Sequence, residues 1–213
     1  MDTRSEIIES CRKMNRLGLN QGASGNVSAR SGDGFLITPS GLDYDVMTPA
    51  DIMEMDFQGG FKGKHKPSGE WRIHRDILAE RRDVQAVIHA HSLFCTTLSI
   101  HGLAIPAVHY MITLLGGDDI PCVPYAPPLS QKLSDRVLPA LENRRACLMA
   151  HHGVVVIAST LERALKLLSE VENLAAQYWH ALQIGTPPVL SSKQMKAVHE
   201  IMKDYGGGMA GKV

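Results

Sequence analysis

The residues of this chain whose types and spacing could do chemistry are several histidines and one glutamate. His89 and His91 are separated by a single alanine, Glu70 precedes them, and the pair His151-His152 follows them. Neutral imidazoles and a carboxylate are typical ligands of a tetrahedral divalent metal ion that keeps one position open for exchange. The sequence therefore predicts a metal centre of the catalytic type.

The first two histidines lie in an apolar run, residues 86–91, that predicts a buried strand. Side chains two residues apart on a strand share a face, so His89 and His91 are expected to point the same way. The third histidine lies within residues 146–156, where two apolar runs flank His-His-Gly. A lone histidine is more often a surface or hydrogen-bonded residue, but three together, two of them on one strand face, favour a metal site.

Length and composition predict one domain over residues 1–213, because 44% apolar content supports one sizeable core. The 22 basic and 22 acidic residues balance, so neither nucleic acid nor a membrane is an expected partner. We found no apolar run of membrane-spanning length and no signal-peptide pattern, and we expect a cytoplasmic protein. The four cysteines never form Cys-x-x-Cys and are expected to be reduced thiols.

Hydrophobic periodicity predicts alternating helices and short strands along the chain. Capping boxes at Thr3 and Ser159 predict the starts of an opening helix and of a long helix near the C-terminus. The other predicted elements are strands at 26–30, 35–38, 52–57, 86–91 and 120–125 and helices at 70–81, 92–100 and 130–143. This pattern predicts the α/β class, a central mainly antiparallel sheet covered by helices, with a mobile tail from about residue 206.

Glu70 lies in the turn-forming sequence Pro-Ser-Gly-Glu-Trp, at the start of a predicted helix. A glutamate in a first helical turn is often only a complement to the helix dipole. The apolar setting instead favours a partly desolvated carboxylate whose pKa is raised towards neutrality, which is what a general acid or base needs.

Three glycine-bearing turns, at residues 25–26, 38–41 and 67–69, precede the histidine pair. Each offers backbone N–H groups and small polar side chains, which are suited to an anion without any lysine. Each alone is an ordinary turn. Together, upstream of one metal set, they suggest a phosphate pocket.

Several of these motifs occur together, and in the same order, in a known family. With the segments between them they give a resemblance over nearly the whole chain to the class II aldolase/adducin family. The motifs are GLNQGASGNVS at 18–28, ITPSG at 37–41, PSGEWRIH at 67–74, HAH at 89–91, IPAVHYM at 105–111 and HHG at 151–153. The resemblance implies that family's three-layer fold.

The resemblance also implies a zinc ion in each subunit, with other divalent metals possible, held by His89, His91 and His152. His152 is preferred to His151 by its position in the family motif alone. Glu70 matches the family's acid/base group. The residues that match the phosphate site are Asn26, Ser40, Gly41, Ser68 and Gly69.

The activity implied is zinc-dependent retro-aldol cleavage of a deoxy-ketose 1-phosphate to dihydroxyacetone phosphate and an aldehyde. Tyr110 and Tyr205 match family tyrosines, the first acting across a subunit interface of a homotetramer and the second on the C-terminal tail. Gly69 stands where members cleaving L-fuculose 1-phosphate usually carry a serine. Those members also carry an aromatic residue near the position of Pro128, where it lines the aldehyde end of the site. These departures favour other sugar phosphates, such as 5-deoxyribulose or 5-methylthioribulose 1-phosphate.

Two alternatives remain open at the level of the sequence. One is a different reaction of a sugar phosphate on the same scaffold, by an epimerase, dehydratase or decarboxylase. Epimerases of the family typically carry aspartate in place of Glu70, which counts against that branch. The other is a non-catalytic, adducin-like interaction module, in which the metal ligands would be dispensable.

Overall fold

The computed structural model of the chain describes residues 2–202, and its strands form one open sheet. The strands are β1 (Asn26–Ser31), β2 (Gly34–Ile37), β3 (Met53–Asp56), β4 (Phe61–Lys62), β5 (Ala86–Ala90), β6 (Cys122–Val123), β7 (Ala146–Met149) and β8 (Gly153–Ala158). Their order across the sheet is β4-β3-β2-β1-β5-β8-β7-β6. Neighbours are antiparallel apart from β6 and β7, which are parallel. The predicted α/β class and mainly antiparallel sheet are confirmed.

Helices cover both faces of the sheet, which gives three layers. They are α1 (Thr3–Arg16), α2 (Trp71–Glu80), α3 (Leu93–Ile100), α4 (Gln131–Ala140), α5 (Leu161–Ile184) and α6 (Ser192–Met202), with 3-10 helices at Pro49–Asp51 and Tyr110–Leu115. On one face α1, α3 and α5 contribute to a core that includes Ile7, Leu98, Leu168, Ile88 and Val156. On the other, α2 and α4 contribute to a core that includes Ile77, Val137, Val87 and Val155. Burial of each such side chain stabilises the fold by roughly 1.5–3 kcal/mol.

Strand β5 divides its side chains between these two layers, and this division positions the histidines. Ile88 and Ala90 belong to the core under α5, whereas Val87 belongs to the core under α2. His89, two residues after Val87, therefore faces the layer that contains α2. Glu70 immediately precedes α2, so this face brings the carboxylate and the imidazoles to the same end of the sheet.

The predicted strands of the first half agree with β1, β2, β3 and β5 to within one residue at each end. The strand predicted at 120–125 is shorter, because Pro121 and Pro124 flank Cys122–Val123 and prolines have no N–H to donate to a ladder. The sequence did not predict β4, α6 or the two 3-10 helices.

The predicted caps of two helices were wrong by one residue. Asp2 caps α1 and accepts a hydrogen bond from the Ser5 N–H at 3.1 Å. Thr160 caps α5 and accepts from the Arg163 N–H at 3.1 Å. Asp2 and Thr160 have the extended backbone that an N-cap requires. Thr3 is therefore the first residue of α1, and Ser159 precedes the cap of α5.

The predicted mobile tail from about residue 206 and Tyr205 lie outside the described residues. Within residues 2–202, each helix is too short or too polar to cross a membrane.

Candidate metal and substrate site

The structure gathers three imidazoles at the ends of β5, β7 and β8. His89 lies on β5, His91 follows it, and His152 lies in the turn between β7 and β8. The antiparallel pairing of β8 with both β5 and β7 brings that turn to the end of β5. The ring centroids are 4.7–5.1 Å apart, and one nitrogen from each ring lies within 4.8 Å of the others.

His151 lies outside this group, although the sequence alone left it as an alternative. Its backbone is in the left-handed region, with φ of 58°, and its side chain is exposed. Its ring centroid is 6.0 Å from that of Tyr125. The turn between β7 and β8 therefore directs His152, and not His151, towards the pair on β5.

The hydrogen bonds of His89 determine which of its nitrogens carries the proton. Nδ1 lies 3.0 Å from the carbonyl oxygen of Val154, which can only accept, so Nδ1 is the donor. The other nitrogen, Nε2, then has a free electron pair, and it faces Nε2 of His91 at 2.9 Å. A second-shell hydrogen bond of this kind orients an imidazole for metal binding.

Burial keeps the three rings neutral. Desolvation is the main cause that lowers the pKa of His89, His91 and His152, the last to about 4, and the neighbouring rings lower the pKa of His89 and His152 further. A neutral imidazole has an electron pair that can bind a metal ion, whereas a protonated imidazole would repel a cation. The donor set fits a divalent transition metal ion such as zinc.

Gly153 is required by the close approach of β8 to β5 beside this group. A Cβ atom there would lie 2.5 Å from the carbonyl oxygen of Ala90 and 3.0 Å from Cδ2 of His91. Both distances are shorter than van der Waals contact. The glycine of the His-His-Gly motif thus allows the turn that contains His152 to lie against β5.

Glu70 is buried beside the imidazoles, with 5% of its surface exposed. Its Oε1 lies 3.8 Å from Nε2 of His152 and accepts a hydrogen bond from the Leu129 N–H at 3.0 Å. Burial raises the pKa of Glu70, as the sequence predicted, and the Leu129 N–H opposes that shift. The side chain makes no capping hydrogen bond to α2, so the carboxylate is directed at the site and not at the helix end.

The three predicted anion-binding turns meet in one cavity of about 280 Å³ that also contains Glu70 and the three histidines. An isolated bridge joins Pro39 to Pro67, and β1 pairs Asn26 with His89, so the turns are held side by side. All five residues predicted for phosphate line this cavity: Asn26, Ser40, Gly41, Ser68 and Gly69. A larger depression of about 640 Å³ along β2, β3 and β4 contains no histidine and no predicted site residue, so the chemistry assigns the site to the smaller cavity.

His74 is a site residue that the sequence analysis missed. It is fully buried on α2; its Nε2 lies 2.5 Å from Oδ1 of Asn26 and its Nδ1 lies 2.7 Å from Oγ of Ser28. Burial lowers its pKa to about 3, so the ring is neutral, donates to Asn26 and accepts from Ser28. The bond occupies the Asn26 oxygen and leaves its NH₂ group for a ligand. A histidine one helical turn after Glu70 was the available signal.

Tyr110, one of the two predicted tyrosines, is not among the residues that line this cavity. Tyr110 begins a 3-10 helix, is 47% exposed, and stacks on His109 with ring centroids 4.7 Å apart. Tyr205 lies outside the described residues. The role predicted for Tyr110 involves a neighbouring subunit and stays a prediction.

Comparison with known proteins gives a consistent result. Residues 5–179 match the family model described as Class II Aldolase and Adducin N-terminal domain. The 5-methylthioribulose-1-phosphate/5-deoxyribulose-1-phosphate aldolase of Rhodospirillum rubrum is 49% identical, over 95% of this chain and 92% of that protein. The L-fuculose phosphate aldolase of Escherichia coli K12 is 46% identical over 94% of both chains.

A solved structure of an L-fuculose 1-phosphate aldolase superposes with a TM-score of 0.91 at 35% identity, over 95% of this chain and 96% of that one. This agreement confirms the fold implied by the sequence motifs, and the relatives support aldolase activity. The chain belongs to the class II aldolase and adducin family.

Proposed function

We propose that this protein is a zinc-dependent aldolase that cleaves a deoxy-ketose 1-phosphate to dihydroxyacetone phosphate and an aldehyde. One observation carries the proposal: a single cavity contains three neutral imidazoles, a buried carboxylate and the three glycine-bearing turns that the sequence predicts to bind an anion. A metal, an acid/base group and a phosphate site are the parts that this cleavage requires. The names of the relatives, which are aldolases of sugar 1-phosphates, support the same assignment.

The phosphate group would bind where the three turns meet. Ser40 and Ser68 would donate from their hydroxyl groups, and Asn26 from the NH₂ group that His74 leaves available. Gly41 and Gly69 let the ligand approach the backbone closely. Binding here would orient the substrate, because the same cavity contains Glu70 and the histidines.

His89, His91 and His152 would hold the metal ion. When bound, a divalent ion acts as a Lewis acid that stabilises negative charge developing on the carbonyl and adjacent hydroxyl oxygens of the substrate. The hydrogen bond to the Val154 carbonyl would keep the electron pair of His89 Nε2 available to the ion. His89 is buried and His91 and His152 are half-buried, which would limit the access of water to the centre.

Glu70 would move the proton at carbon. When the bond between C3 and C4 breaks, its electron pair stays on C3, and the Glu70 carboxyl group delivers a proton there to complete dihydroxyacetone phosphate. The hydroxyl on C4 loses its proton as it becomes the aldehyde carbonyl. Tyr110 of a neighbouring subunit in a cytoplasmic homotetramer is proposed to take up that proton as it passes its own phenolic proton to water, and water returns a proton to Glu70. Tyr205 is proposed to contribute from the tail.

The proposed substrates are 5-methylthioribulose and 5-deoxyribulose 1-phosphate in preference to L-fuculose 1-phosphate. Pro128 and Leu129 line the cavity beside Glu70, and they offer an apolar surface to the part of the substrate that becomes the aldehyde. C5 of these two substrates carries no hydroxyl group, whereas C5 of L-fuculose 1-phosphate does, so their ends suit an apolar surface better. The R. rubrum relative bears the corresponding name.

The test is phosphorus NMR of the zinc-loaded protein with each of the three ketose 1-phosphates. We expect dihydroxyacetone phosphate to form in all three reactions, with the largest kcat/KM for the methylthio or deoxy substrate. Incubation with a strong chelator should abolish cleavage, and added zinc should restore it. If none of the three substrates is cleaved by protein carrying one zinc per chain, the proposal is wrong.

A further inference from the structure

Leu129 has a backbone conformation that is unfavourable for leucine. Its φ is 63°, in the left-handed region where the Cβ of an L-residue crowds its own backbone. The residue is also 55% exposed, so burial of the side chain does not explain the conformation. Such a backbone persists only where its surroundings hold it, and it is often found at functional sites.

The surroundings of Leu129 are three residues at the start of α2. Its N–H donates to Oε1 of Glu70 at 3.0 Å, and its carbonyl oxygen accepts from Nη1 of Arg72 at 3.2 Å. Its side chain lies over Gly69, where an added Cβ would be 2.6 Å from Cδ2 of Leu129 and 3.2 Å from Cδ1. The main chain of Leu129 is thus bound by Glu70 and Arg72, and its side chain lies against Gly69.

These contacts make Gly69 and Leu129 sterically dependent on each other. A side chain at position 69 and the present leucine at 129 cannot occupy the same space, so one of them must move. The clash is with the end of the Leu129 side chain, so a serine at position 69 would turn that side chain away. The backbone of Leu129, whose N–H donates to Glu70, would then lose the packing that helps to hold its unfavourable φ. The absence of a side chain at Gly69 therefore has a consequence beyond the phosphate site.

We propose that Gly69 and Leu129 form a matched pair that positions Glu70. Leu129 is a positioning residue: its left-handed backbone aims its N–H at the Glu70 carboxylate, and its side chain, packed on Gly69, keeps the backbone in place. The inference rests on the proposed role of Glu70 in the reaction. A displacement of about 1 Å at such a group can lower a rate by up to about 100-fold.

A double-mutant cycle tests the dependence. Gly69→Ser should lower kcat about tenfold or more in the wild-type background, because the serine displaces Leu129. In a Leu129→Gly background, the same change should lower kcat less than about twofold, since glycine adopts positive φ freely and leaves space for the serine. Equal losses from Gly69→Ser in the two backgrounds would overturn the proposal.

Gly60→Ser is the matched control for a crowded glycine. A Cβ at Gly60 would lie 2.5 Å from Oδ2 of Asp56, in the turn between β3 and β4 and outside the cavity. This variant should lower the melting temperature but leave kcat within about twofold of the wild type. A tenfold loss of kcat in Gly60→Ser would show that a side chain added at any crowded glycine lowers kcat, whether or not it contacts Leu129.

An activity-free readout separates this inference from the proposed function. The amide resonance of residue 129 should shift in Glu70→Gln, and it should shift to a similar position in Gly69→Ser. In the Leu129→Gly background, adding Gly69→Ser should leave the amide resonance of residue 129 nearly unchanged. This measurement needs neither substrate nor turnover. If cleavage fails in the wild type while the amide shifts follow this pattern, the pairing stands and the reaction assigned to Glu70 does not; unchanged amide shifts refute the pairing itself.

Discussion

The Nδ1–H of His89 donates to the carbonyl oxygen of Val154 at 3.0 Å, so the strand that follows the third histidine sets the tautomer of the first. Val154 pairs with Ala90 in the ladder between β5 and β8, next to His89. The acceptor is main chain and belongs to the sheet, which makes the ring orientation insensitive to the side chain at position 154. The orientation of His89 in the candidate metal site is therefore preorganised by the fold itself.

The adjacent histidines 151 and 152 provide a matched pair of variants for the metal centre. We expect His152→Ala to weaken zinc binding by more than about 100-fold, because it removes a ligand and leaves only two imidazoles. His151→Ala should keep about one zinc per chain, since its ring lies against Tyr125 and outside the group. Elemental analysis and competition with a chelating dye measure both, and the reverse result would assign the metal to His151.

Burial of His74 predicts a loss of stability at acidic pH. The folded-state pKa is lowered from its ordinary 6.5 to about 3, so below pH 6.5 the unfolded chain binds a proton that the folded chain does not. The stability contributed by neutral His74 is therefore complete above pH 6.5 and is lost as pH falls towards 3.

The measurement is urea unfolding of the metal-free protein at pH 7 and pH 5, for the wild type and His74→Gln. Between pH 7 and pH 5, the free energy of unfolding should fall by about 1–2 kcal/mol more in the wild type than in the variant. The contribution of one such histidine changes by at most about 1.4 kcal/mol per pH unit. His89 and His152 contribute to the same trend, but they are common to both proteins. Identical pH dependence in the two would contradict the buried, neutral state of His74.

The hydrogen bond from His74 to Asn26 predicts an effect on phosphate affinity. His74→Leu should raise the dissociation constant for dihydroxyacetone phosphate about five- to tenfold, because the Asn26 amide loses the partner that orients it. The glutamine side chain in His74→Gln can still donate to Oδ1 of Asn26, so this variant should lose less affinity for dihydroxyacetone phosphate. Calorimetric titration of the zinc-loaded variants gives these constants, and equal affinity in the wild type and His74→Leu would remove His74 from the site.

The close packing at Gly153 predicts a coupled loss of stability and metal. Gly153→Ala should lower the free energy of unfolding by roughly 2–4 kcal/mol and weaken zinc binding, since the new Cβ would lie 2.5 Å from the Ala90 oxygen. Gly102→Ala is the control: its φ is also constrained, at 65°, but nothing lies within 4 Å of the added atom. The control should lose about 1 kcal/mol and keep its zinc; equal effects in both would mean that contact with β5 is unimportant.

Local patterns predicted much of this site because local rules determine it. Alternation along β5 places His89 and His91 on one face, and the glycine-bearing turns lie where the motifs indicated. Glu70 was predicted to be desolvated, and its burial agrees with that expectation.

The parts that were missed depend on contacts between distant segments. Leu129 reaches Glu70 and Gly69 across about sixty residues, and its positive φ is not a property that a leucine indicates in a sequence. The partner of His74 lies on β1, 48 positions away. Helix α6 has only two buried residues among those described, Met195 and Met202, so little of it enters a core.

The most direct test of the account is hydrogen exchange at C3 of dihydroxyacetone phosphate in D₂O, without any aldehyde, followed by proton NMR. Zinc-loaded wild-type protein should exchange one of the two C3 hydrogens, because one carboxylate on one face of the substrate moves the proton. Glu70→Gln should keep its zinc and lose exchange by at least about 1,000-fold, whereas Glu80→Gln, at the exposed end of the same helix, should exchange normally. Exchange at the wild-type rate in zinc-bound Glu70→Gln, or no exchange in the wild type, would contradict the role given to Glu70.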